Sequence, residues 1–362
     1  MARSIFKKIF FITIILLLVS QLVDAILPYG WADIVQYTKI EDYKKNKQQY
    51  NALFFGGSLE YRHIMPSIVD KQLKDKNINF KSYNLGVDAH NIIQQVADIE
   101  GVLKIKNPNL KYVFVSLSSE PYFFAYNKNT SKWLAWNNAK STYRALSILP
   151  NAGKSVKERL RFSILYIRSW IMNLFKVGML PDVLTHYFVA DTLHHAYIGT
   201  QKDGFFSYDE ERAYLEKFNA GLDQPLIESR NSFVNTPAHR DSLLSGNIEQ
   251  FRQYKSTDKP NQQELAMLET LMKKLAKKGI DIYFILPPRA RTTYSFLLPI
   301  YHALPQERCI ELANPIQYPE FYTYENGYNF HHLNLNGAKI YSQILAEKIE
   351  QLLNINSSVT GQ

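Results

Sequence analysis

The sequence predicts an α/β protein built on a central parallel sheet of about five strands. Short apolar runs alternate with amphipathic helical segments in the first third and the last third of the chain, which is the pattern of parallel strands joined by crossover helices. The 362 residues are 46% apolar and 14% aromatic, enough for a large core and against disorder. The middle of the chain lacks the alternation, so a large and mostly helical insertion is expected there.

Residues 1–27 are predicted to form a signal anchor, a transmembrane helix. Arg3, Lys7 and Lys8 precede an apolar stretch close to the roughly 20 residues that cross a bilayer. The basic flank predicts a cytoplasmic N-terminus and a main domain in the periplasm or outside the cell. The alternative is a cleaved signal peptide with its cleavage site at Val23-Asp24-Ala25. We favour the anchor because the apolar stretch is longer than a usual signal-peptide core.

The remaining elements follow from apolar periodicity and from turn residues. Residues 28–48 are expected to be a polar linker. Strands are predicted at 51–55, 79–83, 112–117, 280–286 and 309–312, and helices at 66–76, 90–105, 262–278 and 335–353. Pro66 suits a first helical turn, and Gly279 suits a helix end. The α/β domain would thus comprise residues 49–121 and 259–353, followed by a loose polar tail over 354–362.

The predicted insertion covers residues 122–258. Its segment 159–187 is strongly apolar and predicted to be helical. A basic helix with aromatic residues could lie against a membrane, but core packing is the commoner fate, so we expect it to pack over the sheet. A second helix is predicted at 210–230 and a polar connector at 231–258.

Charge and cysteine content limit the partners of the chain. The net charge is +9, but Lys and Arg are spread out and no long basic run is interleaved with aromatics, which argues against nucleic acid. A basic surface suits an anionic membrane or anionic glycans. Cys309 is the only cysteine, which excludes an intramolecular disulfide and a cysteine-based zinc site. His194-His195 and His331-His332 have no acidic cluster beside them, so we expect neither a metal nor another cofactor.

Chemically distinctive residues follow each predicted strand, at the edge where open parallel sheets place their ligand crevices. In strand order these residues are Ser58, then Gly86, then Ser118 and Ser119, then Arg289, and finally His332. A serine hydroxyl becomes a good nucleophile only when a base takes its proton. Ser58 and His332 are therefore a candidate pair, since such groups are recognised by geometry and not by sequence distance.

The motifs around these residues resemble the SGNH (GDSL-like) hydrolase superfamily. They are Gly56-Gly57-Ser58 with Tyr61-Arg62-His63, Asn84-Leu85-Gly86, and His332-Leu333-Asn334 with Gly337-Ala338. The anchored layout resembles the branch containing the D-alanyl transfer proteins of teichoic acid operons and the alginate O-acetylation proteins. The resemblance covers about residues 50–120 and 260–353. It implies a flavodoxin-like three-layer sandwich.

The resemblance implies a role for each matching residue. Ser58 would be the nucleophile, His332 the base, and the backbone N–H groups of Ser58 and Gly86 part of an oxyanion hole. Asn329 stands where the family usually has an acid. Its amide oxygen can fix the imidazole tautomer but cannot stabilise the imidazolium by charge, and Asp→Asn in a serine triad costs about 10⁴ in rate. Glu325 is the nearest alternative acid.

Two further sets of residues are assigned by position. Ser118 and Ser119 stand where the family often has an asparagine oxyanion donor, and a serine hydroxyl can also donate. Glu120 could orient a histidine. Arg62 and Arg289 could bind an anionic substrate, because the guanidinium fork matches carboxylates and phosphates; the alternative is a structural ion pair.

These features together predict a membrane-anchored serine esterase or O-acyltransferase. The substrate would be an acyl ester of cell-envelope or exported carbohydrate, and the intermediate an acyl ester of Ser58. The predicted partners are this O-acyl ester or carbohydrate, the membrane itself, and a membrane-bound O-acyltransferase. The rival hypothesis is a catalytically silent module of the same fold that binds a glycan or a partner, which Asn329 would permit.

Overall fold

A computed structural model describes residues 2–26, 31–118, 130–179, 196–218, 221–289 and 294–360. Its centre is a sheet of five parallel strands in the order β2-β1-β3-β4-β5. The strands are β1 (Ala52–Phe55), β2 (Ser82–Asn84), β3 (Tyr112–Ser116), β4 (Asp281–Leu286) and β5 (Cys309–Glu311). The structure therefore confirms the predicted α/β class and the parallel sheet.

The second strand begins later than predicted because a side chain takes the place of a strand partner. The Asn51 amide donates to Asn79 O at 2.9 Å and accepts from Lys81 N–H at 2.8 Å. These bonds satisfy the backbone leading into β2. Regular pairing of β1 with β2 then starts at Ala52 opposite Ser82.

Both faces of the sheet are covered, which explains why its strands read as continuous apolar runs. In β1, Leu53 and Phe55 join one buried cluster, while Ala52 and Phe54 join a second cluster on the opposite face. The helices described are α1 (Ala2–Ile26), α2 (Ile34–Asn46), α3 (Ser58–His63), α4 (Pro66–Asp75), α5 (Ile92–Val102), α6 (Ser131–Trp136), α7 (Ala139–Ile148), α8 (Val156–Leu174), α9 (Tyr208–Phe218), α10 (Gln224–Val234), α11 (Pro237–Gln253), α12 (Gln262–Ala276), α13 (Tyr294–Ala303) and α14 (Leu335–Thr360).

The prediction of a polar linker over residues 28–48 was wrong for most of its length, because helix α2 occupies Ile34–Asn46. Asp33 caps α2 by accepting from the N–H groups of Val35 and Gln36, and its carboxylate also pairs with Lys132 Nζ at 2.6 Å. Ile40 and Tyr43 are buried in the core. The apolar residues of this helix are few but well spaced, so its polar composition concealed a buried face.

Three other boundaries differ from the sequence-based expectation. The segment 210–230 contains two helices, α9 and α10, and the predicted connector at 231–258 contains the 17-residue helix α11, which has a proline in its first turn. The final helix continues through the expected loose tail to Thr360. The apolar segment 159–187 is helical only as far as Leu174, and residues 180–187 lie outside the described part of the chain.

The first helix has the features of a membrane span. Within α1, the segment Ser4–Ile26 is 23 residues long and apolar enough to cross a bilayer, and it is the one such helix in the described ranges. Its side chains are mostly exposed, in contrast to those of a core helix.

We expect Tyr43→Ala to lower the free energy of unfolding by about 3–5 kcal/mol, the usual cost of removing a large buried ring. The Tyr43 side chain is fully buried, lies beside the rings of Tyr50 and Tyr83, and accepts a hydrogen bond from the Asn107 amide at 3.1 Å. Chemical denaturation of the purified chain measures the change. The matched control is Lys45→Ala on the exposed face of α2. If Tyr43→Ala changes the free energy of unfolding as little as this control does, α2 is a dispensable linker.

Candidate active site

Ser58 lies at the first position of α3, directly after the turn that ends β1. The two glycines before it are required by close approach of other groups. A Cβ on Gly57 would lie 3.0 Å from His90 O, and a Cβ on Gly56 would collide with the Glu60 side chain. The turn places Ser58 at the carboxyl edge of the sheet, and a side chain at either preceding position would crowd its neighbours.

His332 is in hydrogen-bond contact with Ser58. Its Nε2 lies 2.7 Å from Ser58 Oγ, and its Nδ1 lies 3.0 Å from Asn329 Oδ1. An amide oxygen can only accept, so Nδ1 carries the imidazole proton and Nε2 accepts from the serine hydroxyl. The structure thus brings together three of the residues that the sequence singled out.

Asn329 is fixed by four contacts. Its Oδ1 also accepts from the N–H groups of His331 at 2.9 Å and His332 at 3.0 Å. Its Nδ2 donates to Ser229 Oγ at 3.2 Å. The orientation of the Asn329 amide is therefore set by the backbone, and the histidine tautomer is set by Asn329. Glu325 is exposed on the surface, and its carboxylate has no contact with the imidazole of His332.

The site keeps His332 neutral. Burial lowers the pKa of His332 well below its usual value, and the neighbouring His63 and His331 and two arginines lower it further. A neutral imidazole is the form that can accept the serine proton. The same surroundings contain no paired carboxylate among the described residues that would stabilise the imidazolium.

The loop carrying His332 is held by side chains from distant parts of the chain. His63 Nε2 accepts from Leu333 N–H at 2.9 Å, and burial lowers the pKa of His63 to about 3, which suits an acceptor. Asp209 accepts from Leu335 N–H at 2.6 Å. The ring of Tyr208 packs edge-on against His332 at 4.9 Å between centroids. Tyr208 and Asp209 belong to α9, so the predicted insertion supports the site.

These supporting residues were not identified from the sequence. His63 lies five residues after Ser58, in the motif Tyr61-Arg62-His63. A histidine at this position does not by itself indicate that it holds the loop of His332. Tyr208, Asp209 and Ser229 lie in a region where the sequence showed no strand-helix alternation. Only the tertiary structure brings them to the carboxyl edge of the sheet.

Glu60 is a buried carboxyl group that contacts the turn before Ser58. Its Oε2 accepts from Gly57 N–H at 3.0 Å. Burial raises the pKa of Glu60 from its ordinary 4.5 to about 7, although this hydrogen bond acts in the opposite direction. The turn that presents Ser58 therefore rests on a group that titrates near neutral pH.

Gly86 approaches α3 closely, as a residue without a side chain can. A Cβ there would lie 2.6 Å from Tyr61 N. Its N–H, predicted to be an oxyanion donor, donates to Asn84 Oδ1 at 2.9 Å, and Asn84 Nδ2 donates in turn to Glu60 O at 2.6 Å. Lys39 Nζ, from α2, donates to Gly86 O at 2.6 Å. Both backbone groups of Gly86 are thus engaged within the protein.

Ser118 is buried at the carboxyl end of β3, next to β1 in the sheet. Phe55, the last residue of β1, pairs with Val115, so Ser58 and Ser118 each follow this paired position by three residues. The Ser118 hydroxyl has no hydrogen-bond partner within the described residues. Ser119 and Glu120, like His194-His195, lie outside them.

The two arginines have different surroundings. Arg62 is buried, and its guanidinium pairs with Asp88 at 2.6 Å and with Glu211 at 2.7 Å and donates to Phe206 O at 3.0 Å. These contacts fit the structural ion pair, because they already occupy the guanidinium N–H groups that would bind a substrate. Arg289 instead lines a small cleft together with Asn329, His331 and His332, so an anionic group bound there would lie near it.

The described residues contain no group of three or more His, Cys, Asp or Glu side chains that could hold a metal ion. Comparison with protein-family models and with curated proteins finds no match for the chain. The resemblance to the SGNH superfamily therefore rests on the short motifs and on their order along the chain.

We expect Asn329→Asp to raise turnover of a small activated acyl ester by about tenfold or more, because a carboxylate stabilises the imidazolium that an amide cannot. It also raises the pKa of His332, so the acidic limb of the pH–rate profile moves to higher pH. A carboxylate oxygen can still accept from the two backbone N–H groups, and Ser229 can donate to the other. Steady-state kinetics between pH 4 and 9 measure both effects.

The control for this substitution is Ser229→Ala, which removes only the contact to Asn329 Nδ2 and should change turnover little. A folded Asn329→Asp variant with unchanged or lower turnover would contradict the prediction. Another group would then orient His332.

We expect Glu60→Gln to remove a pH dependence of stability. Between pH 4.5 and about 7 the folded chain holds a proton on Glu60 that the unfolded chain releases, so the free energy of unfolding falls as pH rises. The loss is on the order of 3 kcal/mol over this interval and is complete above pH 7. Glutamine keeps an acceptor for Gly57 N–H.

Thermal unfolding at pH 4.5, 6 and 8 tests this expectation. The Glu60→Gln variant should gain stability relative to the wild type as pH rises, whereas the exposed control Glu269→Gln should follow the wild type. Parallel curves for the wild type and Glu60→Gln would mean that Glu60 ionises as an ordinary carboxyl group.

Proposed function

We propose that this chain is an SGNH-type serine esterase or O-acyltransferase. The observation that carries the proposal is the hydrogen bond of 2.7 Å between Ser58 Oγ and a neutral His332, at the carboxyl edge of a parallel sheet. The strand order β2-β1-β3-β4-β5 supports a flavodoxin-like three-layer sandwich for the domain.

The proposed reaction begins with Ser58. Its Oγ attacks the acyl carbon of an O-acyl ester while His332 Nε2 takes the hydroxyl proton. The tetrahedral intermediate collapses, the C–O bond to the alcohol breaks, and the alcohol leaves with the proton from His332. A water molecule or a carbohydrate hydroxyl then attacks the acyl carbon of the Ser58 ester and gives its proton to His332. The bond between the acyl carbon and Ser58 Oγ breaks, Oγ takes the proton back from His332, and the free acid or the acylated carbohydrate leaves.

The oxyanion of this reaction would be stabilised by the first turn of α3. The first N–H groups of any helix lack partners within the helix, and the Ser58 N–H is one of them. The Ser118 hydroxyl supports a second donor, because it is buried next to β1 without a described partner. The Gly86 N–H could contribute only after leaving Asn84 Oδ1.

The proposed setting is the outer face of a membrane. The span in α1 and the basic residues Arg3, Lys7 and Lys8 support a single-pass anchor with a cytoplasmic N-terminus and a periplasmic or extracellular domain. An anchor would hold the site beside a membrane-bound O-acyltransferase, which favours transfer to a carbohydrate over hydrolysis. Arg289, in the cleft beside His332, supports an anionic substrate.

Two observations favour the second candidate function, a silent module that binds a glycan or a partner. Asn329 replaces the expected acid, and the Gly86 N–H is already occupied. Both features weaken catalysis and leave the binding of an acyl carbohydrate unaffected, as the second function requires.

A fluorophosphonate probe, which reacts covalently with activated serines, separates the two functions. We expect it to label the wild type and not Ser58→Ala, and to label His332→Asn at least about 100-fold more slowly, since a general base contributes this much. Labelling is measured by gel fluorescence over time. The matched control is Ser232→Ala, an exposed serine of α10 that should not affect the rate.

Equal labelling of the wild type and Ser58→Ala would refute the assignment of the nucleophile. No labelling of a folded wild type would favour the binding module. If the wild type is labelled, the ratio of acylated carbohydrate to free acid formed from an activated acetyl ester distinguishes a transferase from an esterase.

A further inference from the structure

The helix α8 carries an apolar stripe that faces away from the protein. Its members are Val156, Leu160, Ile164, Ile167 and Ile171, each at least 40% exposed. At about 100° per residue these five positions fall within roughly 80° of arc on the helix surface. A continuous apolar stripe of this kind on an otherwise folded domain marks a surface that contacts something else.

The opposite face of α8 is firmly packed, so the stripe is not the result of a poorly placed helix. Trp133 Nε1 donates to Ser169 Oγ at 2.8 Å, and Asn173 Nδ2 donates to Leu134 O at 2.9 Å. Tyr166 is buried against Trp133. The sequence-based expectation was that this segment packs over the sheet; the packed face of α8 instead contacts α6 and α7.

Exposed cations border the stripe on one side. Lys157, Arg161 and Arg168 all lie on the surface and fall at about 60° to 100° from the middle of the stripe. Long basic side chains in this position can keep their charged ends in a polar layer while their stems lie along apolar surface. The arrangement is that of a helix lying in the plane of an anionic membrane surface.

The C-terminal end of α8 lies at the end of the candidate membrane span. Lys176 Nζ, two residues beyond the helix, pairs with Asp24 Oδ2 at 2.8 Å. Val23 of α1 packs against the same core cluster as Leu165 and Met172 of α8. The C-terminal end of α8, where the stripe ends at Ile171, therefore lies near the C-terminal end of α1.

We propose that α8 lies in the headgroup region of the bilayer that holds α1, with its apolar stripe against the acyl chains and its cations on anionic lipid headgroups. This inference rests on the anchoring part of the proposed function and is independent of the catalytic part. The helix cannot itself span the bilayer, because Lys157, Arg161 and Arg168 interrupt its apolar surface. Two contacts with the membrane, α1 and α8, then fix the tilt of the domain.

The test uses the full chain in vesicles of zwitterionic and anionic phospholipids, with an environment-sensitive fluorophore on a single introduced cysteine. The buried Cys309 is first replaced by alanine. Ile164→Cys reports the stripe, Ile15→Cys reports the anchor, and Gln343→Cys on the exposed face of α14 is the control. We expect lipids brominated on the acyl chains to quench the labels at 15 and 164 about threefold more than the label at 343.

Quenching at 15 together with equal quenching at 164 and 343 would overturn the docking of α8 and leave the anchor intact. Absence of quenching at 15 would overturn the anchor and the docking together, whatever the result with the serine probe. A second copy of the chain on the stripe would also overturn the proposal. Unlabelled Ile164→Cys chains would then form a disulfide with each other under an added oxidant, and the label at 164 would be shielded from water in detergent as well as in lipid.

A charge variant tests the role of the headgroups. Arg161→Glu with Arg168→Glu should abolish the increase in quenching at 164 that anionic lipid produces, because it reverses the cationic border of the stripe. The matched control is Lys277→Glu with Lys278→Glu, exposed at the end of α12. If both double variants respond to anionic lipid as the parent does, the charged part of the proposal is wrong.

Discussion

The candidate site depends on one hydrogen bond, which joins Ser58 and His332 across 274 residues of sequence. Neither residue could make this contact in isolation. Ser58 is presented by a glycine turn at the end of a central strand, and His332 by a loop that ends at the start of α14. The parallel sheet brings the ends of its strands to one edge, and the helices on both faces hold that edge rigid enough for a contact of hydrogen-bond length.

The electrostatics of the site are those of a neutral base without a fixed counter-charge. Burial keeps His332 and His63 uncharged, and the partner of His332 is an amide. The buried carboxyl group of Glu60 accepts from Gly57 N–H in the turn before Ser58, and burial raises its pKa to about 7. Proton transfer from serine to histidine would therefore create an ion pair whose positive end lacks compensation, so the geometry is complete while the charge balance is weak.

Much of the sheet and the central pair could be predicted from the sequence, since strong local patterns specify them. The strands are apolar runs between turn residues, and Ser58, Asn329 and His332 occur in short motifs. The supporting residues could not be predicted in the same way. Lys39, Asp209 and Ser229 are ordinary polar residues in polar helices or loops, and only the path of the chain gives them their roles. The linker expected over α2 failed for a related reason, because few apolar residues can still form one buried face.

The ion pairs of Arg62 have a consequence for how the chain folds. Arg62 follows Ser58 by four residues, and its partner Glu211 lies in α9, in the middle of the chain. The same helix holds the loop of His332. Contacts between residues so far apart in sequence form late, after much chain entropy has been lost. As the chain emerges from the ribosome, α1 and the first strand appear long before the residues that complete the site. The contact between Ser58 and His332 would therefore form only after nearly all of the protein had been synthesised and the start of the final helix had packed.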